Sequence, residues 1–378
     1  MSKDPNKEQI LLTPGPLNTH IEVKESMLVD WGSRDKDFIA LTRKIRQRLL
    51  KISGAYNTHT CIPIQGSGTF AIEAALNTLT SKKTHTLVIK NGAYGERASK
   101  ILNRLDRPII ALNHPEDRPI DPELIQDAIF KNKSISHVFL VHCETTTGVL
   151  NPLNEVSKIV QDSGKILILD SMSTFAGIPY DISRTPVDIL IASSNKCIEG
   201  VPGIGFVIAR EELLSNFHSN SSSISLDIFD QWAEFENSGQ WRFTPPTHVL
   251  AALDKALDIL DNEGGVAGRF ARYFENCKTL VDGMKKIGFR SLLNDDIQAP
   301  IIVTFHMPSN PKFNFDNFFE ILRKKGFTIY PGKLTKYPTF RIGCIGNISY
   351  IDIEKFISET RAALSILNID PNQESLYN

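Results

Sequence analysis

Lys165-Ile-Leu-Ile-Leu-Asp170 places four aliphatic residues in a row and ends on a carboxylate. A strand with one wet face alternates apolar and polar residues, whereas a strand covered on both faces is apolar throughout. Val138-Phe-Leu-Val141 has the same character, and both runs read as central strands of a parallel sheet. On either side of them, β-branched runs at Thr86–Ile89, Pro108–Leu112, His137–His142 and Asp188–Ser193 alternate with helix-like stretches at 95–105, 122–131 and 154–162. Strand and helix taking turns from about 60 to 210 is the βαβ rhythm of a sheet with helices on both faces. Gly203-Ile-Gly-Phe-Val-Ile208 adds a further strand, and Asn220-Ser-Ser-Ser223 reads as a loop.

Beyond this block, Val249, Leu250, Leu253, Ala256, Leu257 and Leu260 recur at helical spacing before Gly264-Gly265, which predicts a helix over 247–262. A helix at about 266–287, a strand Ile301–His306, a helix 315–325, strands Phe327–Tyr330 and Phe340–Ile342, and a helix 351–366 follow. They form a smaller α+β unit. The polar Asp370-Pro-Asn-Gln-Glu-Ser375 segment reads as a fraying end.

Composition narrows the function. The 378 residues carry 42 Lys+Arg against 43 Asp+Glu, a net charge of −1, which offers no long-range pull on nucleic acid or an anionic membrane. Hydrophobic residues make up 41%, yet no apolar run approaches the ~20 residues needed to span a bilayer. Met1–Gln9 is charged and lacks an apolar core, so no secretory signal is expected and the cytosol is the default. The five cysteines, at 61, 143, 197, 277 and 344, show no CxxC spacing, which argues against a disulfide framework or a zinc site. The nine histidines form no HExxH or comparable cluster, and no metal is expected.

Four places carry candidate chemistry. Gly66-Ser67-Gly68-Thr69-Phe70-Ala71 opens a helix, and its small residues, hydroxyls and helix dipole suit a phosphate. The hexad also fits the dinucleotide fingerprint GxGxxA, but that needs an acid after the next strand, where Val88-Ile-Lys-Asn91 has none. Asp170 stands at a strand's carboxyl end, where α/β sheets bind ligands, although a turn-capping Asp would look the same. Lys196 lies 26 positions further on, after the strand Asp188–Ala192, among small, Gly and Pro residues. A lone loop lysine is usually solvated. Taken together, lysine, carboxylate and anion cradle describe pyridoxal 5′-phosphate: a Schiff-base amine, a partner for the pyridinium nitrogen and a phosphate seat. Arg341, in Phe340-Arg-Ile-Gly343, offers a fork for a carboxylate or phosphonate, with a surface salt bridge as the plainer alternative.

Several motifs recur in a fixed order: Leu11-Leu-Thr-Pro-Gly-Pro16, Gln65-Gly-Ser-Gly-Thr69, Asn91-Gly-Ala-Tyr-Gly95, His142-Cys-Glu-Thr-Thr-Thr-Gly148, Ser194-Asn-Lys-Cys197 with Gly200-Val-Pro-Gly203, Trp241-Arg-Phe-Thr244, Tyr330-Pro-Gly-Lys333 and Phe340-Arg-Ile-Gly343. From about residue 11 to 365 the chain resembles the 2-aminoethylphosphonate–pyruvate transaminases, class V aminotransferases of PLP fold type I. The resemblance implies an α/β fold: an arm at 1–20, a large PLP-binding domain at 21–262 with a mostly parallel seven-stranded sheet, and a smaller α+β domain at 263–378. It implies that Lys196 carries the cofactor, that Asp170 pairs with its ring nitrogen, and that Thr145 lies near its phenolic oxygen. Ser67, Gly68, Thr69 and Asn195 would surround the phosphate, joined by Thr244 from the second subunit of a homodimer. Arg341 would hold the phosphonate of 2-aminoethylphosphonate and then the carboxylate of pyruvate, with Gly15 beside the substrate. The sequence departs from the pattern at Gly32, where many relatives have Cys, and at Leu105, near a position often filled by Met. Rival readings are a serine– or alanine–glyoxylate aminotransferase, a cysteine desulfurase using a mobile thiol, and an NAD-binding or non-catalytic protein.

Overall fold

The structure, a computed structural model, describes residues 9–215, 219–333, 336–371 and 373–377. Most of the stretch read for a secretory signal lies outside them. In chain order the strands are β1 (Ile10–Leu11), β2 (His59–Gln65), β3 (His85–Lys90), β4 (Ile109–Asn113), β5 (Ile135–Val141), β6 (Cys143–Glu144), β7 (Val149–Leu150), β8 (Ile166–Asp170), β9 (Ile189–Ser193), β10 (Ile204–Arg210), β11 (Ile302–His306), β12 (Phe327–Thr328), β13 (Tyr330–Pro331) and β14 (Thr339–Gly343). The helices are α1 (Ile21–Glu25), α2 (Lys36–Ser53), α3 (Gly68–Leu79), α4 (Ala93–Arg104), α5 (Pro122–Lys131), α6 (Leu153–Asp162), α7 (Glu211–Ser215), α8 (Ile228–Ser238), α9 (Thr247–Asn262), α10 (Gly265–Lys286), α11 (Phe315–Lys324) and α12 (Tyr350–Ile366).

The opening run of the sequence analysis is β8, near the middle of a seven-stranded sheet ordered β2-β10-β9-β8-β5-β3-β4. Along β8, Leu167 and Leu169 join the core on one face while Ile168 joins the core on the other. In β5, Val138 and Leu140 face one way and Phe139 and Val141 the other. This is why neither run alternates: both faces are covered, and each fully buried side chain contributes about 1.5–3 kcal/mol. The strands from β4 to β9 are parallel, and β10 runs antiparallel to both β9 and β2.

Strand β2 was not singled out in the sequence. It contains Pro63, which cannot donate to a ladder, and it lies at the sheet edge, where a missing donor is tolerated. The expected strand Phe327–Tyr330 is divided: β12 pairs parallel with β1, and β13 pairs antiparallel with β14. Leu12, next to β1, is fully buried in the C-terminal core, so the N-terminal arm takes one partner from that strand. The C-terminal fray is overturned for the described residues. Ile369 and Leu376 are buried, the Asn310 N–H donates to the Leu376 carbonyl at 3.1 Å, and the Tyr377 hydroxyl donates to His306 O at 2.9 Å. Two apolar anchors outweigh the polar composition around them.

Strands β11, β13 and β14 form a separate three-stranded sheet with its own core, rich in Phe: Phe289, Phe305, Phe318, Phe340 and Phe356. This sheet presents β14 toward the loop between β6 and β7, as the Arg341 contacts below show. Among the described residues no helix is long and apolar enough to cross a membrane.

Candidate active site

Asp170 ends β8 and Lys196 lies in the turn after β9, so both sit at the carboxyl ends of adjacent parallel strands, where the Asp170↔Ile191 register sets them side by side. Asp170 is 2% exposed, and its Oδ1 accepts the Met172 N–H at 2.9 Å. Burial pushes its carboxyl up to about 6, against the pull of the Met172 N–H and the charges of Arg97 and Lys196. Lys196 is lowered to about 8, again chiefly by burial, with Cys197 and Asp170 opposing and Arg341 and Arg97 adding to the fall. Its ammonium donates to the Pro14 carbonyl. Gly15 sits at φ +130°, and a Cβ there would lie 2.6 Å from Lys196 Nζ, so both conformation and space require glycine beside the amine.

The residues of the candidate anion cradle lie at and after the start of α3 and in the turn after β9. Ser67 is the N-cap of α3, and its side chain makes no capping bond, which leaves the hydroxyl free for a ligand. A Cβ on Gly68 would lie 2.2 Å from Met172 Sδ, so the helix start packs directly against the residue that holds Asp170. Thr69 Oγ1 accepts from Arg97 Nη1 at 3.2 Å. Asn195, half-buried next to Lys196, accepts from the Ser193 hydroxyl at 3.0 Å.

Thr145, fully buried in the loop between β6 and β7, donates its hydroxyl to the Tyr94 oxygen at 3.0 Å. Its carbonyl accepts from Arg341 Nη1 at 2.9 Å, and Arg341 Nε donates to Pro331 O at 3.2 Å. Arg341 is 2% exposed and makes no ion pair among the described residues. Burial lowers its pKa. Thr244 stands apart: it is exposed, in the segment between α8 and α9, and the single chain does not bring it to the other residues.

Tyr94, Arg97 and Glu144 belong to the same cluster and were not assigned roles from the sequence. Tyr94 and Arg97 share one face of α4 at i, i+3, and the guanidinium lies 4.9 Å from the Tyr94 ring centroid. Glu144 is fully buried and accepts the Gly95 N–H at 3.0 Å and the Tyr94 N–H at 3.3 Å, which satisfies the start of α4. Burial raises its carboxyl to about 7. Tyr94 and Glu144 lie in the motifs Asn91–Gly95 and His142–Gly148 and Arg97 two residues beyond the first, but contact between them is tertiary.

The donor set suits pyridoxal phosphate: a desolvated amine, a buried carboxylate with no ion pair among the described residues, and a helix N-terminus whose cap hydroxyl makes no capping bond. The thiols do not suit a desulfurase. Cys197 Sγ is fully buried, donates to Ser173 O at 3.2 Å and is pushed up to about 12 by burial, and Cys344 is fully buried as well.

A family model described as aminotransferase class-V matches residues 26–351, and the chain belongs to that family. It is similar to the 2-aminoethylphosphonate–pyruvate transaminase of Pseudomonas aeruginosa, 49% identical over 360 residues that cover 95% of this chain and 97% of that one. It is also similar to the 2-aminoethylphosphonate–pyruvate transaminase 2 of Burkholderia lata, 47% identical over 96% of each chain. Among solved structures, pyridoxamine–pyruvate aminotransferase from Mesorhizobium loti superposes with a TM-score of 0.88 at 23% identity, covering 97% of this chain and 95% of that one, which shows a shared fold.

Proposed function

We propose that this protein transfers the amino group of 2-aminoethylphosphonate to pyruvate, giving phosphonoacetaldehyde and L-alanine, with pyridoxal phosphate as cofactor. The observation that carries the reading is the convergence on one lysine of a buried carboxylate and a buried guanidinium, neither ion-paired among the described residues. The high identity to transaminases of that name across nearly the whole chain supports the substrate pair.

The cofactor, when bound, supplies an electron sink for the charge left as a substrate proton departs. Everything else falls to the chain. Lys196, lowered to about 8 by burial, would hold the cofactor through its amine and, when released, would take up and return a proton at Nζ. Asp170, raised only to about 6, stays ionised at neutral pH and would keep the ring nitrogen protonated. Ser67, Gly68, Thr69 and Asn195 would hold the phosphate, and Thr145 would donate toward the phenolic oxygen. Arg341 would grip the phosphonate in the first half-reaction and the pyruvate carboxylate in the second, with Gly15 leaving room at the amine.

The reading includes a homodimer in which Thr244 completes the partner's phosphate seat. Its support is an exposed apolar surface beside the cradle: Phe70 and Phe243, 51% and 52% exposed, line one groove with Gly66 and Trp241. The proposed division into an arm (1–20), a large domain (21–262) and a small domain (263–378) is supported by separate apolar cores before and after residue 262, with Leu12 of the arm in the second and Leu17, Cys143, Tyr273 and Ile345 sharing a core that joins the parts. The five buried free thiols suit the reducing cytosol. The test is a pair of half-reactions followed by cofactor absorbance. The lysine-bound colour should disappear with 2-aminoethylphosphonate and return with pyruvate; no response to that amine overturns the substrate, and turnover by K196A overturns the mechanism.

A further inference from the structure

Three cations have no carboxylate partner among the described residues: Arg97 and Arg341, whose charges act on Lys196, and Lys333, exposed on the turn beside Arg341. Arg97 is held on Thr69 and over Tyr94, which places its charge on the side of the phosphate cradle. Arg341 is fixed through Nε and Nη1 by two backbone carbonyls, Pro331 O and Thr145 O, and its Nη2 has no protein hydrogen bond among the described residues. Lys333 follows on the turn that carries Pro331. The Gly332 N–H donates to Thr339 O at 2.8 Å, and Pro331 pairs with Phe340, so the turn is pinned to β14 beside Arg341. A Cβ on Gly332 would lie 2.1 Å from Thr339 Oγ1, so the turn packs closely against the start of β14. Lys333 is exposed, and its pKa is lowered first by partial burial and then by the charges of Arg341 and Arg97.

A carboxylate has two oxygens in a plane and one charge, which a guanidinium can match alone. A phosphonate has three oxygens in a tetrahedral array and up to two charges, so after pairing with one guanidinium it still has an oxygen and charge to satisfy. A site that takes both anions in turn needs a second cation only for the phosphonate. We propose that Lys333 is that cation, the residue that favours a phosphonate-bearing amine over a carboxylate-bearing one while leaving the pyruvate half-reaction to Arg341. This rests on the transaminase reading above.

The test uses the cofactor-loaded protein and its variants K333M and K333R in separate half-reactions. K333M should lower kcat/KM for 2-aminoethylphosphonate about 10- to 30-fold, mostly through KM, and change the pyruvate half-reaction less than about 2-fold. K333R should recover most of the loss, and cofactor affinity should match wild type. Equal losses in both half-reactions, no loss in either, or weakened cofactor binding would overturn the assignment. Wild-type protein that does not respond to 2-aminoethylphosphonate sinks the transaminase reading itself; a responsive wild type with an indifferent K333M sinks only the role of Lys333.

Discussion

Lys196 and Glu199 lie three residues apart on one turn, yet they belong to opposite kinds of charge cluster. Glu199, 4% exposed and held at φ +63°, receives Arg272 Nη2 at 2.8 Å and the Tyr273 hydroxyl at 2.6 Å. Glu263 pairs with Arg269 at 2.6 Å and Arg272 at 2.7 Å, and Arg269 also donates to Cys197 O, behind the lysine. Every charge there is answered from within the chain. Around Lys196 the pattern reverses: Asp170, Arg97, Arg341 and Lys333 have no ion pair among the described residues. Buried charge is costly unless paired, so an internally matched cluster holds the fold, while an unmatched one awaits a ligand that supplies the missing charges.

The sharpest test of the contrast is Lys196→Ala. Turnover, measured as alanine formation, should fall by at least about 10⁴-fold and the cofactor colour should be lost, while the melting temperature without cofactor stays within a few degrees. Glu199→Ala should do the opposite. Removing the shared acceptor of Arg272 and Tyr273 leaves uncompensated charge and should cost about 3–5 kcal/mol in denaturant unfolding. A loss under 1 kcal/mol would mean that the matched cluster is not structural.

Asp170→Asn separates function from stability. The carboxyl is raised in the folded state, so its ionisation costs stability at neutral pH, a cost relieved as pH falls through about 6. The amide variant should therefore be more stable without cofactor by roughly 1–3 kcal/mol, and much less active. Cofactor binding by the wild type should move the opposite way: capture should weaken as pH drops below about 6, where Asp170 takes up a proton, and D170N should lack that inflection. The mildest effect is expected for Arg341→Lys, which keeps the charge but loses the fork; KM should rise roughly 10- to 30-fold for both substrates, with little change in stability. An effect on only one substrate would show that Arg341 does not serve both anions.

Much of this was legible beforehand because the information was local. The uninterrupted Ile166–Leu169 run announces a strand buried on both faces, and the spacing of Leu250, Leu253, Leu257 and Leu260 predicts α9 to its last residue. Asp170 and Lys196 could be paired in thought because each ends a strand of one parallel sheet, and parallel strands deliver their carboxyl ends to one edge. Edge strand β2 escaped because Pro63 hides it, and the docking of β1 on β12 and of Leu376 in the C-terminal core escaped because each depends on a partner distant in the chain, over 300 residues for β1 and 66 for Leu376 and Asn310.

Residue type and strand order, then, decided the fold class and singled out the lysine, the aspartate and the Gly-rich helix start as candidates, since these follow from periodicity and from chain direction within a sheet. Only the tertiary structure decided which charges are answered and which are left open: that Glu199 is saturated while Arg341 is not, that Arg97 reaches Thr69, and that Glu144 caps α4. The physical reason is that a charge's worth depends on its burial and its neighbours, and both are set by contacts between segments far apart in the chain.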